Sequence, residues 1–309
     1  MTAAPMEFPA KLKKGAVRNA EGNTEVKGIW IAFKDMPVKE RHRYRATIRA
    51  RVKAGPSLET QPAMEEPLRQ SVWGFQKGLA WKLPAVTFEY RAEADPARKQ
   101  GGKILRARYH GPAVPVYSHE FRDYPIEFYA FDSATSVRFF IRANALENVV
   151  EVASAEIVEV NAKKEKYLNA NPELKFGPFN PSGWGYAHNG IFGSDNLGPF
   201  IDLGTSWAIG DAIPVTPGDR LKFTFRGEPA AGRPHMNFGA TFCKTPQFAS
   251  PKTPNRVGTN KLPMRITAKN PEGTGETVVP EGAAWMRLSF SCGSMRYFKV
   301  EKITGEQQK

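Results

Sequence analysis

The segment RYRATIRARVK, Arg43 to Lys53, alternates without a break. Tyr44, Ala46, Ile48, Ala50 and Val52 fall on one side of a pleat, and Arg43, Arg45, Thr47, Arg49 and Arg51 on the other. Successive strand residues point to opposite faces, so the pattern predicts a β-strand with an apolar face toward a core and a basic face toward water. The same period of two runs through RLKFTFRG, with Leu221, Phe223 and Phe225 inward, through SVRFFIRA, with Val137, Phe139 and Ile141 inward, and through WMRLSFS around Trp285. VTFEY, PIEFYAF, MNFGATF and YFKVEKI add short strands set apart by Pro, Gly or Asn. No segment has the 3.6 period of an amphipathic helix, and NAKKEKYLNANPE reads as a charged linker whose proline ends any helical turn. Many short strands punctuated by turn residues predict an all-β chain of the β-sandwich type.

The chain also repeats itself. Shifted by 177 positions, MPVKERHRYRATIR (Met36 to Arg49) lies without a gap on IPVTPGDRLKFTFR (Ile213 to Arg226), and Trp30 falls on Trp207. A shift of 149 lays DSATSVRFFI (Asp132 to Ile141) on EGAAWMRLSF (Glu281 to Phe290). The two shifts differ by 28 residues, so the first copy carries about that much extra chain, placed by its Pro/Glu/Gln-rich composition in the stretch of about 55–84. A repeat this long means two self-contained domains, 1–162 and 163–309, rather than a solenoid of short units. The second begins near NANPELKFGPFNPSGWGY.

Composition narrows the chemistry. With 25 Pro and 27 Gly among 309 residues, the chain suits turns better than helices. No apolar run approaches the length of a membrane helix, and the first residues lack a signal-peptide core. Two cysteines, Cys243 and Cys292, allow one bridge at most, and buried unpaired thiols are the expectation. The net charge of +13 is spread evenly, with 25 basic and 19 acidic residues in 1–162 and 19 and 12 in 163–309. The rows Arg43, Arg45, Arg49, Arg51 and Arg220, Lys222, Arg226 predict a basic stripe on the outer face of each copy, either a solvated face or an attractor of polyanions. No nucleic-acid module accompanies the charge, so no nucleic-acid partner is expected, and no membrane partner either. The chain has no nucleophile elbow, phosphate loop, dinucleotide fingerprint or zinc-protease motif, and its five histidines share no metal spacing, so no catalytic residues and no metal site are assigned.

The segments NANPELKFGPFNPSGW, VTPGDRLKFTFRG, VVPEGAAWMRLSFSC and MRYFKVEKI occur in order over Tyr167 to Ile303. Together they resemble the jelly-roll carbohydrate-binding modules that bind xylan or β-glucan, and Trp30 to Arg51 and Asp132 to Val160 show the resemblance more faintly. The resemblance implies two tandem jelly rolls related by internal duplication, a non-catalytic polysaccharide-binding role, and an extracellular or periplasmic location with an export signal already removed. Such modules often hold a structural calcium ion through acids of the opening and closing segments; here those positions carry Lys175 and Lys299, which puts that cofactor in doubt. The first copy keeps Glu151 and Glu156 near its last strand without a matching opening segment.

Sugars offer apolar C–H faces and hydroxyl edges, so their sites pair aromatic platforms with hydrogen-bonding side chains. The candidate platform of the second copy is SGWGYAHNGIFGSDN, with Trp184, Tyr186, Asn189, Phe192 and Asp195, although the Gly-Trp position of Trp184 suits a core cap equally. The first copy's insertion offers Trp73, Phe75 and Trp81, which serve either as platforms or as anchors of a long loop. Trp30 and Trp207, in matching positions, are taken as core. The expected partner is a polysaccharide, neutral or carrying acidic or sulfate groups. A second reading is a self-assembling filament, sheath, fibre or shell subunit that forms homo-oligomers, and a third is an accessory fragment of a larger carbohydrate-active enzyme.

Overall fold

A computed structural model describes residues 3–55, 57, 84–100, 103–110, 113–132, 134–143, 147–161, 164–177, 180, 182–184, 186–187, 191–246, 255–261 and 266–303. The chain divides into two compact units that part between Val160 and Asn161. The described elements are β-strands, and every pair is antiparallel.

The first unit contains β1 (Ala4–Pro5), β2 (Ala16–Arg18), β3 (Thr24–Lys27), β4 (Trp30–Ala32), β5 (Met36–Pro37), β6 (Arg43–Ala54), β7 (Ala85–Gln100), β8 (Lys103–His110), β9 (Val114–Pro115), β10 (Arg122–Tyr129), β11 (Ala134–Arg142) and β12 (Val149–Val160). One sheet has the order β10-β6-β12-β3-β2, with β1 on β12; the other has β4-β11-β7-β8, with β5 on β11 and β9 on β7. The chain passes between the sheets from β3 to β4, β5 to β6, β6 to β7, β9 to β10, β10 to β11 and β11 to β12, which is the jelly-roll course. Strand β6 buries Ala46, Ile48, Ala50 and Val52 completely. Phe88, Phe128 and Phe139 fill the space between the sheets, with ring centroids 4.8 to 6.0 Å apart.

The second unit contains β13 (Tyr186–Ala187), β14 (Ile191–Asp195), β15 (Gly198–Asp202), β16 (Trp207–Ile209), β17 (Ile213–Pro214), β18 (Arg220–Pro229), β19 (Asn237–Cys243), β20 (Arg256–Lys261), β21 (Glu272–Val278), β22 (Trp285–Ser291) and β23 (Gly293–Lys302). Its sheets run β14-β15-β23-β18-β21 and β13-β16-β22-β19-β20, with β17 on β22. Phe225 stacks on Phe238 at 4.2 Å, and Phe298 and Trp184 close the core around them.

The duplication holds at the level of single hydrogen-bonded partners. Trp30 pairs with Arg142 and Met36 with Val137 in the first unit; Trp207 pairs with Ser291 and Ile213 with Met286 in the second. These are the shifts of 177 and 149 read from the sequence. A bulge also recurs: Ala153 is the extra residue opposite Arg49 and Ala50, and Arg296 is the extra residue opposite Arg226 and Gly227. Ala85 and Asn237 hold matching places beside Arg142 and Ser291, a shift of 152, so 25 of the 28 extra residues lie between β6 and β7. The other three lie between β7 and β10.

The opening segment of the second unit is tied to β23 by a side chain that imitates backbone. The Asn169 amide donates to the Phe298 carbonyl at 2.6 Å and accepts from the Val300 N–H at 3.0 Å. Leu168 N–H donates to the Val300 carbonyl and Phe298 N–H to the Pro172 carbonyl. Gly183 precedes Trp184 because its φ of 88° is left-handed and a Cβ there would lie 2.4 Å from the Ala170 carbonyl oxygen. Cys243 and Cys292 are free thiols. Asn169→Ala removes both amide bonds at a buried site and is expected to cost the second unit about 2 kcal/mol, measured by urea unfolding.

Candidate functional site

The described candidate platforms of the second copy lie on different elements. Trp184 is 3% exposed and packs edge-on against Phe290 at 5.0 Å, so it is a core residue and not a ligand platform. Phe192 lies on β14 and Asp195 at its end, in one sheet, whereas Tyr186 pairs with Ile209 in the other. Asp195 is committed elsewhere: Arg296, projecting from the bulge, grips both its oxygens at 2.7 Å and holds its carboxyl below the usual range. Arg296 also caps the Phe200 ring at 5.2 Å. Asn189, Trp73, Phe75 and Trp81 lie outside the described residues.

Trp30 and Trp207 reverse the expectation made for them. They are 46% and 40% exposed, among the few large exposed hydrophobics. The short strands that carry them bury the middle residue, Ile31 and Ala208, so each indole is turned outward. A Trp-x-x unit of three residues shows too little alternation to reveal its phase in sequence. Outward side chains next to Trp207 follow from register: Ser291 and Asn237 across from it, then Ser289 across from Ile209, then Arg287 and Thr241. Asn237 is exposed, and Ile209, Ser289, Ser291, Thr241 and Arg287 are half-buried. The Arg287 guanidinium is anchored on the carbonyls of Gly210, at 2.9 Å, and Pro246. The result is an aromatic ring at the side of a floor of hydroxyls, an amide and one guanidinium.

The matching floor in the first unit is built differently. The positions of Ser291, Ser289, Asn237, Gly239 and Thr241 hold Arg142, Phe140, Ala85, Thr87 and Glu89. Arg142 lies 5.5 Å from the Trp30 ring, and burial lowers its guanidinium to about 10. Farther along the same sheet, Asp35 bridges Arg91 and Arg138 on neighbouring strands.

Next to the Trp207 floor sits Asp211. Its N–H donates to the Gly183 carbonyl at 2.9 Å, and its Oδ2 is sealed from solvent without a hydrogen-bond partner. Burial pushes its carboxyl up to about 6, against a pull downward from Arg287 and the Gly183 N–H.

The basic stripes are not positive surfaces. Arg43 is buried against Glu127, whose second oxygen takes Arg45 at 2.8 Å. Arg49 pairs with Asp123 at 3.2 Å and Arg51 with Glu151 at 2.7 Å. In the second unit Arg220 pairs with Glu276 at 3.2 Å and Arg226 with Glu272 at 3.4 Å, while exposed Lys222 has Glu276 and Glu301 as strand partners. Glu127 and Asp123 correspond to Glu276 and Glu272 under the shift of 149. Each copy therefore carries its own neutralising acids, on strands about 80 and 50 residues downstream.

The residues at the suspected calcium positions do not fit that ion. Glu173 already binds the Lys175 and Lys299 ammonium groups, each at 2.5 Å, which hold its carboxyl below the usual range and would repel a divalent cation. In the first unit burial pushes Glu151 up, but hydrogen bonds from Asn23, Arg51 and Asn19 outweigh it and hold the carboxyl low; Glu156 is an exposed strand residue facing Pro5. Among the described residues no three His, Cys, Asp or Glu side chains are grouped to hold a metal.

Glu127→Gln leaves Arg43 charged and buried and is expected to cost about 3 kcal/mol or more. Asp123→Asn, at an exposed pair, costs a few tenths, about 0.5 kcal/mol at most, and urea unfolding separates the two. For Asp211 the folded carboxyl binds its proton more tightly than the unfolded chain does, so its contribution to stability is present at about pH 4 and lost as pH rises through about 6. Asp211→Asn is expected to gain in melting temperature relative to the parent chain between pH 4 and pH 7, and a gain that is flat with pH would contradict the assignment.

No family model matches the chain, and no curated protein matches it. Among solved structures it is similar to the N-terminal CBM22-1-CBM22-2 tandem domain of Paenibacillus barcinonensis Xyn10C, at 12% identity and a TM-score of 0.31, over 98% of this chain and 93% of that one. It is similar to a carbohydrate-binding module of Cellvibrio mixtus lichenase 5A in complex with cellotriose, at 12% identity and a TM-score of 0.24, over 40% and 89% of the two chains. It is also similar to an allantoicase, at 10% identity and a TM-score of 0.27, over 98% and 90%.

Proposed function

We propose that this is a non-catalytic, exported protein that binds an extended polysaccharide, with the outer face of β16, β22 and β19 as its site in the second unit. The observation that carries the reading is Trp207, 40% exposed beside a floor of Ser291, Asn237, Ser289, Thr241 and Arg287. An indole offers a flat apolar surface to the C–H face of a pyranose, and the hydroxyl and amide side chains next to it can exchange hydrogen bonds with the ring hydroxyls. The motif resemblance over Tyr167 to Ile303 supports the same ligand class. A binding role without catalysis suits the floor, since none of those five side chains is a carboxylate or imidazole and the neighbouring Asp211 keeps its Oδ2 sealed from solvent. Trp30 is the corresponding platform of the first unit, and two platforms on one chain raise avidity for a polymer without new contacts.

Self-assembly is the weaker reading. The outer strand β10 carries Pro125, and the outer strand β21 reads Glu-Gly-Thr-Gly-Glu, so both edges hold residues that discourage strand addition.

Trp207→Ala is expected to weaken binding of xylo- or cello-oligosaccharides more than about tenfold, or roughly 1.4 kcal/mol. The melting temperature should change little, because the ring is outside the core. Isothermal titration on the full chain checks both, and full affinity in the variant would overturn the reading.

A further inference from the structure

The sheet faces neutralise their arginines, yet the chain carries a net charge of +13. One place where positive charge stays unpaired is the start of the first unit. Lys11, Lys13, Lys14 and Lys27 are all exposed, and among the described residues none makes an ion pair.

Backbone geometry draws the last three together. Ala16 N–H donates to the Lys13 carbonyl at 3.0 Å, closing a turn over Lys13, Lys14 and Gly15. Lys27 N–H donates to the Gly15 carbonyl at 2.8 Å, which seats that turn on the end of β3. The seat is close: Gly15 has a φ of 97°, and a Cβ there would lie 3.0 Å from the Lys27 carbonyl oxygen and 3.1 Å from Ile29 Cγ2. The arrangement is thus held by a glycine that no other residue replaces without strain. Three residues after Lys27 the chain reaches Trp30, the exposed indole. Under the shift of 177, Lys27 corresponds to Gly204, so the Trp207 platform has no counterpart of this lysine.

We propose that Lys11, Lys13, Lys14 and Lys27 form a binding surface for an anionic polysaccharide, a chain bearing carboxylate or sulfate groups, in the first unit. The proposal rests on the reading of the protein as a polysaccharide binder. Lysine ammonium groups are compact, strongly hydrated point charges that attract anions without demanding one geometry, which suits a polymer with irregularly placed charges. Because the groups are exposed, their attraction acts over about one Debye length and weakens steeply with salt. The surface therefore recruits acidic chains, while the indole at Trp30 provides the apolar contact that salt does not screen.

The test is native affinity electrophoresis of the full chain in gels containing heparin, polygalacturonate or neutral xylan, at about 0.02 M and about 0.3 M salt. The variant Lys11→Gln, Lys13→Gln, Lys14→Gln, Lys27→Gln alters only exposed side chains. It is compared with Arg49→Gln, Arg220→Gln, Lys222→Gln, Arg226→Gln, which removes the same charge from the sheet faces. The expected result is a loss of heparin or polygalacturonate retardation of at least about fivefold at low salt in the lysine variant, with xylan retardation unchanged and the sheet-face variant close to the parent chain. Equal losses in both variants would show net charge at work and overturn the proposal, as would full retardation in the lysine variant. Stronger lysine-dependent capture by a single-stranded RNA of similar charge would reassign the surface to nucleic acid and overturn it too. Absence of xylan or glucan binding in the parent chain, with lysine-dependent heparin retention intact, would support this surface and count against the Trp207 platform alone.

Discussion

Register is the constraint from which the rest of the molecule follows. Side chains alternate strictly across a strand, so sliding β6 by one residue would bring Arg49 and Arg51 into the core and turn Ile48 and Ala50 to water. The apolar inner row forbids that slip, and by forbidding it also decides which residues stand on the outer face. Arg49 meets Asp123, and Arg226 meets Glu272, because the core fixes which strand positions are opposite each other. The exposure of Trp207 has the same origin, since Ala208 beside it belongs to the core.

Against this frame the two units differ in what their outer faces hold. Strand order, hydrogen-bond partners and bulge agree, but Arg142, Phe140, Thr87 and Glu89 stand where the second unit has Ser291, Ser289, Gly239 and Thr241. In the first unit Arg142, Thr87 and Glu89 are buried, and Asp35 ties Arg91 to Arg138 at the surface of the same sheet. Short polar groups in the second leave a floor beside the indole. Inner positions share a core and change together with difficulty, whereas an outer position answers only to its neighbours and to whatever binds there.

Charge follows a similar division. On the sheet faces cations and carboxylates sit on adjacent strands and largely cancel, so a high arginine content there serves cohesion between strands. At the Lys13–Gly15 turn, Lys13, Lys14 and Lys27 are exposed and among the described residues make no ion pair. Asp211 is the opposite case, a carboxyl enclosed beside the Trp207 floor with Arg287 as its nearby cation, where burial outweighs the attraction and keeps the proton bound to about pH 6.

Periodicity and self-similarity were enough to reveal the all-β class, the alternation of each long strand and the duplication with its two offsets, because these depend on neighbours in the chain and on one uniform pleat. They placed Ile48, Phe225 and Phe139 inside correctly. They left Trp184 open between core cap and platform and placed Trp30 and Trp207 inside, since a single aromatic beside a turn carries no phase and only the packing of both sheets assigns its side. The basic rows were legible as rows, but their neutrality was not: Glu127 is 82 residues from Arg45, and only antiparallel pairing of β10 with β6 brings the two together. What depends on local alternation was determined by the sequence itself; what depends on which distant strand lies alongside was decided by the tertiary structure, because register across strands is set by the whole core at once.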